Sequence, residues 1–88
     1  MYAITLSRHA VRSLKRIEER QRQAVRDRID ALARDPRDPR APELDVRKLT
    51  GRPGYRLRVG DWRILYEIDE TVRIIAIEDV LQRGGAYR

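Results

Sequence analysis

Residues 55–66 read Tyr55-Arg56-Leu57-Arg58-Val59-Gly60-Asp61-Trp62-Arg63-Ile64-Leu65-Tyr66. Two alternating runs flank the pair Gly60-Asp61, which suits the tight turns that close β-hairpins. With those two residues as the loop, one face of the hairpin is wholly apolar or aromatic, as a core-facing sheet surface requires. Its predicted cross-strand pairs are Val59–Trp62, Leu57–Ile64 and Tyr55–Tyr66.

The other face of this hairpin is basic. Arg58 lies directly opposite Arg63, and Arg56 follows two residues along the same strand. Like charges placed opposite each other destabilise a sheet by up to about 1 kcal/mol per pair. An anionic ligand would relieve that repulsion, so the pattern predicts a polyanion-binding surface. We call this surface the arginine face and define it by Arg56, Arg58 and Arg63.

Length and charge limit the class of protein. The 88 residues are expected to form one domain spanning residues 1–88, with a modest core and a shallow surface site. Lys and Arg number 20 against 14 Asp and Glu, a net charge of +6, which favours nucleic acid or an acidic protein as partner. No apolar run is long enough for a signal peptide or a membrane span, so a cytoplasmic location is expected.

The residues available for chemistry are few. Cysteine is absent and His9 is the single histidine, which excludes a thiolate nucleophile, a histidine cluster and a Ser-His-Asp triad. His9 follows the predicted start of a helix and is interpreted as a surface side chain. The sequence therefore predicts no cofactor and no metal ion.

The N-terminal part predicts a strand followed by a helical hairpin. Tyr2-Ala3-Ile4-Thr5-Leu6 alternates as a strand does, and Ser7 can cap the helix that follows. Helical spacing of apolar residues predicts a first helix over about residues 8–20. A second helix carries Val25, Ile29 and Leu32 on one stripe and ends at Asp35-Pro36, because proline cannot continue the helical hydrogen bonds.

The connection over residues 35–54 is expected to be irregular, stiff and exposed. It adds three cations, Arg47, Lys48 and Arg52, just before the hairpin. Residues 47–63 hold six cations and one acid, Asp61, which is the strongest local charge bias in the chain. We therefore add these three side chains to the predicted nucleic-acid surface.

The end of the chain predicts one more strand and a tail. A three-residue turn, Asp69-Glu70-Thr71, puts Val72 and Ile74 on the core face and Arg73 opposite Glu67, and it sets Leu65, Ile75 and Ile77 on the arginine face. The apolar last strand is expected to be central in the sheet. Gly84-Gly85 permits a bend that returns Arg83 and Tyr87 to the arginine face.

The predicted fold class is α+β. An N-terminal strand and a helical hairpin precede a three-stranded antiparallel meander, and the resulting four-stranded sheet packs on the helices.

With these elements assigned, the chain resembles the RelE/ParE superfamily of type II toxin–antitoxin toxins over essentially its whole length. The resemblance rests on Tyr2-Ala3-Ile4, Lys48-Leu49-Thr50-Gly51, residues 55–68 and residues 83–87. It implies a mainly antiparallel sheet on an N-terminal helical hairpin, and a small antitoxin partner with a partly disordered, amphipathic acidic segment. RelE-like members are ribosome-dependent endoribonucleases that cut mRNA, whereas ParE relatives inhibit DNA gyrase.

The resemblance also implies the site. Arg56 and Arg58 match the basic strand positions of RelE-like toxins, Arg63 the arginine after the turn, and Arg83 and Tyr87 the C-terminal pair. Those five are the predicted catalytic residues, and the predicted RNA-binding residues are Arg47, Lys48, Arg52, Arg56 and Arg58. Two departures are the arginines where many relatives have lysine and Gln82 where many have histidine.

The favoured hypothesis is a ribosome-dependent mRNA endoribonuclease that cleaves by attack of the 2′-hydroxyl, without metal. Arginines suit charge stabilisation but not proton transfer, because they stay protonated. Tyr87 can act as the base or stack on a nucleobase. The alternative is a gyrase inhibitor that binds without chemistry.

Overall fold

The structure is a computed structural model and describes residues 2–34 and 45–82. Its elements are β1 (Ala3–Leu6), α1 (Arg8–Arg16), α2 (Glu19–Leu32), β2 (Asp45–Lys48), β3 (Tyr55–Val59), β4 (Trp62–Asp69) and β5 (Ile74–Gln82). The strands form one sheet in the order β1-β5-β4-β3-β2. Strand β1 pairs parallel with β5, and the other neighbours are antiparallel. The predicted α+β class and the central position of the last strand are confirmed.

The prediction of four strands was wrong, because the sheet has five. The additional strand, β2, lies within the connection that was predicted to be irregular, and it extends the three-stranded meander to four strands. Asp45 pairs with Arg58 and Lys48 with Tyr55. Charged residues dominate β2, and only Val46 packs against the core. An edge strand of this kind buries too little apolar surface to leave an alternating pattern.

The hairpin of β3 and β4 has the predicted register. Val59 pairs with Trp62, Leu57 with Ile64, and Tyr55 with Tyr66. Gly60 has the positive φ, 58°, that the first position of a tight hairpin turn requires. The rings of Tyr55 and Tyr66 stack with centroids 5.7 Å apart and planes 20° apart, an aromatic pair that adds about 0.5–1.5 kcal/mol beyond its buried area.

The turn between β4 and β5 was predicted one residue too short. Residues 70–73 form it, so Asp69 pairs with Ile74, and Ile75 and Ile77 lie opposite Ile68 and Tyr66 on the core face. Glu67 lies opposite Ala76 and not opposite Arg73 as predicted, and a register shift by an odd number of residues inverts every side chain of a strand. Val72, predicted on the core face, is accordingly 59% exposed. Of Leu65, Ile75 and Ile77, which were predicted on the arginine face, Leu65 lies there.

Contacts with the N-terminus hold this longer turn. The Asp69 carboxylate accepts hydrogen bonds from the amides of Thr71 and Val72 at 2.9 and 3.3 Å. Arg73 takes a left-handed φ of 56°, its carbonyl accepts from the Ala3 amide at 3.0 Å, and its guanidinium lies 4.8 Å from the centre of the Tyr2 ring. The Arg73 partners, Tyr2 and Ala3, are distant in sequence, so a short-range turn rule does not find them.

The first helix ends at Arg16, earlier than the predicted residue 20. Ile17 is extended (φ −79°, ψ 138°), and the next helix starts at Glu19. Ile17 is buried, so the bend puts its side chain into the core. Ser7 caps α1 as predicted, with its hydroxyl oxygen accepting from the Ala10 amide at 3.0 Å, and the same hydroxyl donates to the Glu78 carbonyl at 2.7 Å.

The core lies between the helices and one face of the sheet. Fully buried side chains each stabilise the fold by about 1.5–3 kcal/mol. A bulge in β5 preserves this packing, since Tyr66 pairs with Ile77 and Leu65 with Asp79, which leaves Glu78 as the extra residue and returns Val80 to the core. The core side chains are Ala10, Leu14, Ile17, Val25, Ile29, Ala31 and Leu32 from the helical part, and Leu57, Ile64, Tyr66, Ile75, Ile77 and Val80 from the sheet.

Replacing Gly54 by alanine is expected to destabilise the protein by about 2–4 kcal/mol. Gly54 has φ of 108°, and a Cβ there would lie 2.8 Å from the Tyr66 carbonyl oxygen and 3.2 Å from Cγ of Glu67. Urea unfolding followed by circular dichroism measures the change. The matched control is Gly51→Ala, with φ of 77° and nothing within 4 Å, which is expected to cost about 1–2 kcal/mol. Equal losses in both variants would contradict the close approach at Gly54.

Candidate nucleic-acid interface

The arginine face is the sheet surface turned away from the helices. The register confirms that Arg58 lies directly opposite Arg63 and shows Leu65 opposite Arg56. Strand β2 adds two side chains by the same alternation, Arg47 opposite Arg56 and Asp45 opposite Arg58. Four cations from three strands therefore share this surface: Arg47, Arg56, Arg58 and Arg63.

One of these cations is neutralised within the protein. An Nη2 atom of Arg56 lies 3.1 Å from the Asp45 carboxylate, in a charge-assisted hydrogen bond. The Arg56 side chain is only 18% exposed, and its Nε is buried without a hydrogen-bond partner among the described residues. Arg56 is thus held in place and offers reduced charge to a ligand.

Arg63 is fixed in a different way. It is 8% exposed, and its Nη1 donates to the carbonyls of Gly60 and Trp62 at 3.2 and 3.3 Å. These carbonyls belong to the hairpin turn and the strand start, so the guanidinium is directed towards that end of the hairpin. Its positive charge is preorganised, and binding a ligand requires little loss of side-chain freedom.

Arg58 and Arg47 are the accessible cations. Both are exposed, and neither makes an ion pair with another residue in the described ranges 2–34 and 45–82. Arg58 also faces the fixed charge of Arg63 across the strand pair. The exposed Arg58 guanidinium has paired N–H donors of the kind that bind phosphate oxygens, and it lies across the strand pair from buried Arg63.

An acidic group lies at the other end of the face. Glu67 pairs with Ala76, four residues along β4 from Arg63, and Glu78 occupies the bulge of β5. Burial and a hydrogen bond with Glu67, together with the Glu67 charge, raise the pKa of Glu78, and nearby Arg52 opposes this. The Arg52 guanidinium is 3.9 Å from Glu78 Oε1. This part of the surface is close to neutral and does not favour a polyanion.

The structure brings some of the predicted site residues together and separates others. Arg47, Arg56, Arg58 and Arg63 share one face, and Arg52 lies beside its acidic end. Lys48 pairs with Tyr55, which puts it on the side of the sheet that carries the helices. Arg83 and Tyr87 lie outside the described residues.

Sequence reasoning missed the acidic partners of the face, Asp45, Glu67 and Glu78. It also missed a contact between His9 Nε2 and the Asp79 carboxylate at 3.2 Å. Each of these contacts joins elements that are distant in sequence or different in type, so no local pattern signals them.

A groove runs along the helix side of the protein. It has two adjoining cavities of about 320 and 210 Å³ with an apolar floor and a rim that holds three cations, Lys15, Arg22 and Arg26, and one acid, Asp30. Leu6 of edge strand β1 lines both and is exposed. The lining residues include Ile4, Leu6, Leu14, Lys15, Arg22, Arg26 and Ile29.

No helix within the described ranges is long and apolar enough to cross a membrane.

Comparison with known proteins gives one family and a set of similar structures. The family model described as the ParE toxin of the type II toxin–antitoxin system parDE matches residues 4–87. No curated protein sequence matches the chain.

Three solved structures illustrate the likeness. In the archaeal RelE–RelB complex from Pyrococcus horikoshii OT3, the matching chain is 26% identical and gives a TM-score of 0.79. The match covers 97% of this chain and 98% of the archaeal chain. The RelBE2 toxin–antitoxin complex from Mycobacterium tuberculosis is 26% identical over 93% of this chain and 98% of its own, with a TM-score of 0.78. The isolated RelE toxin of E. coli shares the fold, with a TM-score of 0.79. It is 16% identical, and the match covers 99% of this chain and 89% of the E. coli chain.

Replacing Glu78 by glutamine is expected to stabilise the protein at neutral pH. Because the pKa of Glu78 is raised in the folded state above its ordinary value of 4.5, its contribution to stability is present below about pH 4.5 and is lost as the pH rises through the folded-state pKa. Glutamine stays neutral at every pH, so the variant does not carry the cost of a buried charge at pH 7, and its Tm is expected to be higher there. At pH 4, where the glutamate is also mostly neutral, the two Tm values are expected to be similar.

Thermal unfolding of both proteins between pH 4 and 8 measures the difference. Glu18→Gln is the control, because Glu18 is exposed and its side chain makes no capping hydrogen bond. A lower Tm for Glu78→Gln at pH 7 would contradict the unfavourable carboxylate.

Proposed function

The chain belongs to the RelE/ParE superfamily of type II toxin–antitoxin toxins, and from that premise we propose that it is a ribosome-dependent mRNA endoribonuclease that inhibits translation. The observation that carries the proposal is the pair Arg58 and Arg63. Arg58 is exposed and makes no ion pair with another residue in the ranges 2–34 and 45–82, and it faces Arg63, which backbone carbonyls hold in place. Like charges opposite each other repel, and an anion such as a phosphodiester bound beside Arg58 would relieve that repulsion.

The chemistry needs no metal ion. The 2′-hydroxyl of a nucleotide attacks the adjacent phosphorus, and negative charge builds up on the phosphoryl oxygens and on the leaving 5′-oxygen. A fixed cation aimed at such developing charge contributes about 2–4 kcal/mol to catalysis. We assign this role to Arg58 and Arg63, supported by Arg56, with Arg83 and Tyr87 as further proposed catalytic residues.

The RNA on either side of the cut would lie along the basic edge of the sheet. Arg47 is exposed on the same face as Arg58 and extends its charge along β2. Lys48 ends β2 on the side of the sheet that carries the helices, and Arg52 lies beside Glu78, so neither is included in this path. Orientation of a ribosome-bound mRNA can supply a large part of the acceleration, since it holds the reacting atoms in line.

The second candidate function is inhibition of DNA gyrase by binding without chemistry. The observation that favours it is that the matching family model is that of ParE toxins. The neutralised half of the arginine face also fits this function, because a binding protein needs no concentrated phosphate-stabilising site.

We further propose an antitoxin partner. Two of the similar structures are toxin–antitoxin complexes: one is a RelE–RelB complex, and the other is the RelBE2 complex. The groove on the helix side supplies an apolar floor, which includes Leu6 and Leu14, and a rim of Lys15, Arg22 and Arg26. An amphipathic acidic segment that folds on binding matches both the shape and the charge of this groove.

Replacing Arg58 by glutamine is expected to lower mRNA cleavage by about 30- to 1000-fold, which corresponds to the loss of about 2–4 kcal/mol of charge stabilisation. Cleavage is followed by primer extension on mRNA in a reconstituted translation system that synthesises the toxin. Arg20→Gln, an exposed arginine at the start of α2, is the matched control and is expected to cut as the wild type does. Intact mRNA with the wild type, or equal cutting by Arg58→Gln, would contradict the proposal.

The gyrase function is tested separately with purified gyrase and supercoiled DNA. An endoribonuclease leaves relaxation and supercoiling unchanged and produces no trapped cleavage complex. Trapped gyrase–DNA complexes at low protein concentration, together with intact mRNA, would establish the second candidate in place of the first.

Reversing the charge of Arg26 is expected to weaken antitoxin binding at least about tenfold, because each close charge pair at an interface contributes on the order of 1.5 kcal/mol or more. Arg26 is exposed and lines both parts of the groove. Calorimetry with the protein encoded by the neighbouring gene compares Arg26→Glu with Arg20→Glu, a reversal on the same helix outside the groove. Equal affinities of both variants would exclude this groove as the docking site.

A further inference from the structure

The arginine face supplies charge but no evident proton acceptor. Arginine stays protonated at working pH, so it cannot take a proton from a 2′-hydroxyl. Among the carboxylates of the face, Asp45 is engaged by Arg56. Glu67 and Glu78 share a hydrogen bond, and Oε1 of Glu78 is buried. Besides Tyr87, which is proposed above and lies outside the described residues, a second candidate base lies at the border of this face.

His9 and Asp79 form a dyad outside the arginine set. The Nε2 atom of His9 lies 3.2 Å from Oδ1 of Asp79, and the same oxygen accepts a hydrogen bond from the Val80 amide at 2.8 Å. Because a carboxylate oxygen has no proton to donate, we assign the ring proton to Nε2 and the free lone pair to Nδ1. The His9 side chain is 68% exposed and that of Asp79 is 22% exposed, so the imidazole is accessible and its partner is held.

The dyad lies at the border of the arginine face. Asp79 pairs with Leu65, and Leu81, two residues further along β5, pairs with Arg63. Two residues of a strand span about 6.6 Å, so Asp79 is about that distance along β5 from the position opposite Arg63.

The start of α1 is fixed beside this part of β5. Strand β1 ends at Leu6, opposite Ile77. The Ser7 amide then donates to the Ile77 carbonyl at 2.9 Å, and the Ser7 hydroxyl donates to the Glu78 carbonyl at 2.7 Å. With β1 ended, the first turn of α1 occupies the open flank of β5, and this brings His9 to Asp79.

We propose that His9 is the general base of the cleavage reaction and that Asp79 is its positioning residue. This inference rests on the proposed ribonuclease function and adds the group that the arginines cannot provide. An imidazole suits the role because its neutral ring has a nitrogen lone pair that accepts a proton, which a guanidinium lacks. Asp79 fixes the ring so that Nδ1, and not Nε2, is presented to the substrate.

The step balances without another reactant. Nδ1 takes the proton of the 2′-hydroxyl while the 2′-oxygen bonds to phosphorus and the bond from phosphorus to the 5′-oxygen breaks. The products are a 2′,3′-cyclic phosphate on the upstream fragment and a 5′-hydroxyl on the downstream one. The 5′-oxygen takes a proton from water, and the imidazolium returns its proton to solvent.

The test is the pH dependence of cleavage on programmed ribosomes, measured in single turnover from about pH 5.5 to 8.5. The wild-type rate is expected to rise with pH as the essential base loses its proton, and then to level off. His9→Gln is expected to lose about 10²- to 10⁴-fold, the usual contribution of a general base, and to lose the rising limb. Asp79→Asn is expected to cut more slowly while it keeps that limb.

Two further variants separate catalysis from structure. His9→Gly is expected to regain activity when imidazole is added, which a purely structural role would not allow. Arg12→Gln, an exposed change on the same helix, is expected to leave the pH profile unchanged, and thermal unfolding verifies that every variant is folded.

The outcomes distinguish this inference from its premise. Wild-type cleavage with an unaltered rate and pH profile in His9→Gln overturns the role of His9 and leaves the ribonuclease standing. Absence of cleavage by the wild type overturns both. Loss of activity in His9→Gly without rescue by imidazole, in a folded protein, also overturns the role of the base.

Discussion

The alternation of apolar and basic residues along β3 and β4 is the constraint on which the rest of the structure depends. It commits Leu57, Ile64 and Tyr66, all fully buried, to the core, and it commits Arg58 and Arg63 to the opposite surface. A slip of one residue in this hairpin would exchange the two sets and bury the arginines. The register is therefore strongly specified, and the core and the candidate site are two consequences of one pattern.

The arginine face is less uniform than its sequence indicates. Asp45 neutralises Arg56, and Glu78 lies near Arg52, so the chain's own carboxylates offset part of the positive charge. The exposed positive charge of this face is that of Arg58 and Arg47, which lie beside buried Arg63. A polyanion docking on this surface would meet an attractive part and a nearly neutral part, and this difference gives the proposed site a direction along the sheet.

The bulge in β5 links the helices to this surface. It adds Glu78 without disturbing the core, because Ile77 and Val80 both remain buried. The Glu78 carbonyl accepts a hydrogen bond from the Ser7 hydroxyl, so the residue that caps α1 also attaches the helix to the sheet. Bulges commonly redirect side chains near functional sites, and this one brings Asp79 within reach of His9.

The sequence by itself determined the features that local periodicity encodes: the α+β class, the hairpin register with Arg58 opposite Arg63, the cap at Ser7 and the apolar stripe of α2. Only the tertiary structure decided that Asp45–Lys48 is a fifth strand, that Ile75 and Ile77 face the core, and that Asp45, Glu78 and Asp79 meet Arg56, Arg52 and His9. The physical reason is that side-chain alternation is a short-range property of one strand. Edge pairing, turn length and ion pairs depend instead on contacts between segments distant in sequence, which become defined only when the sheet closes on its helices.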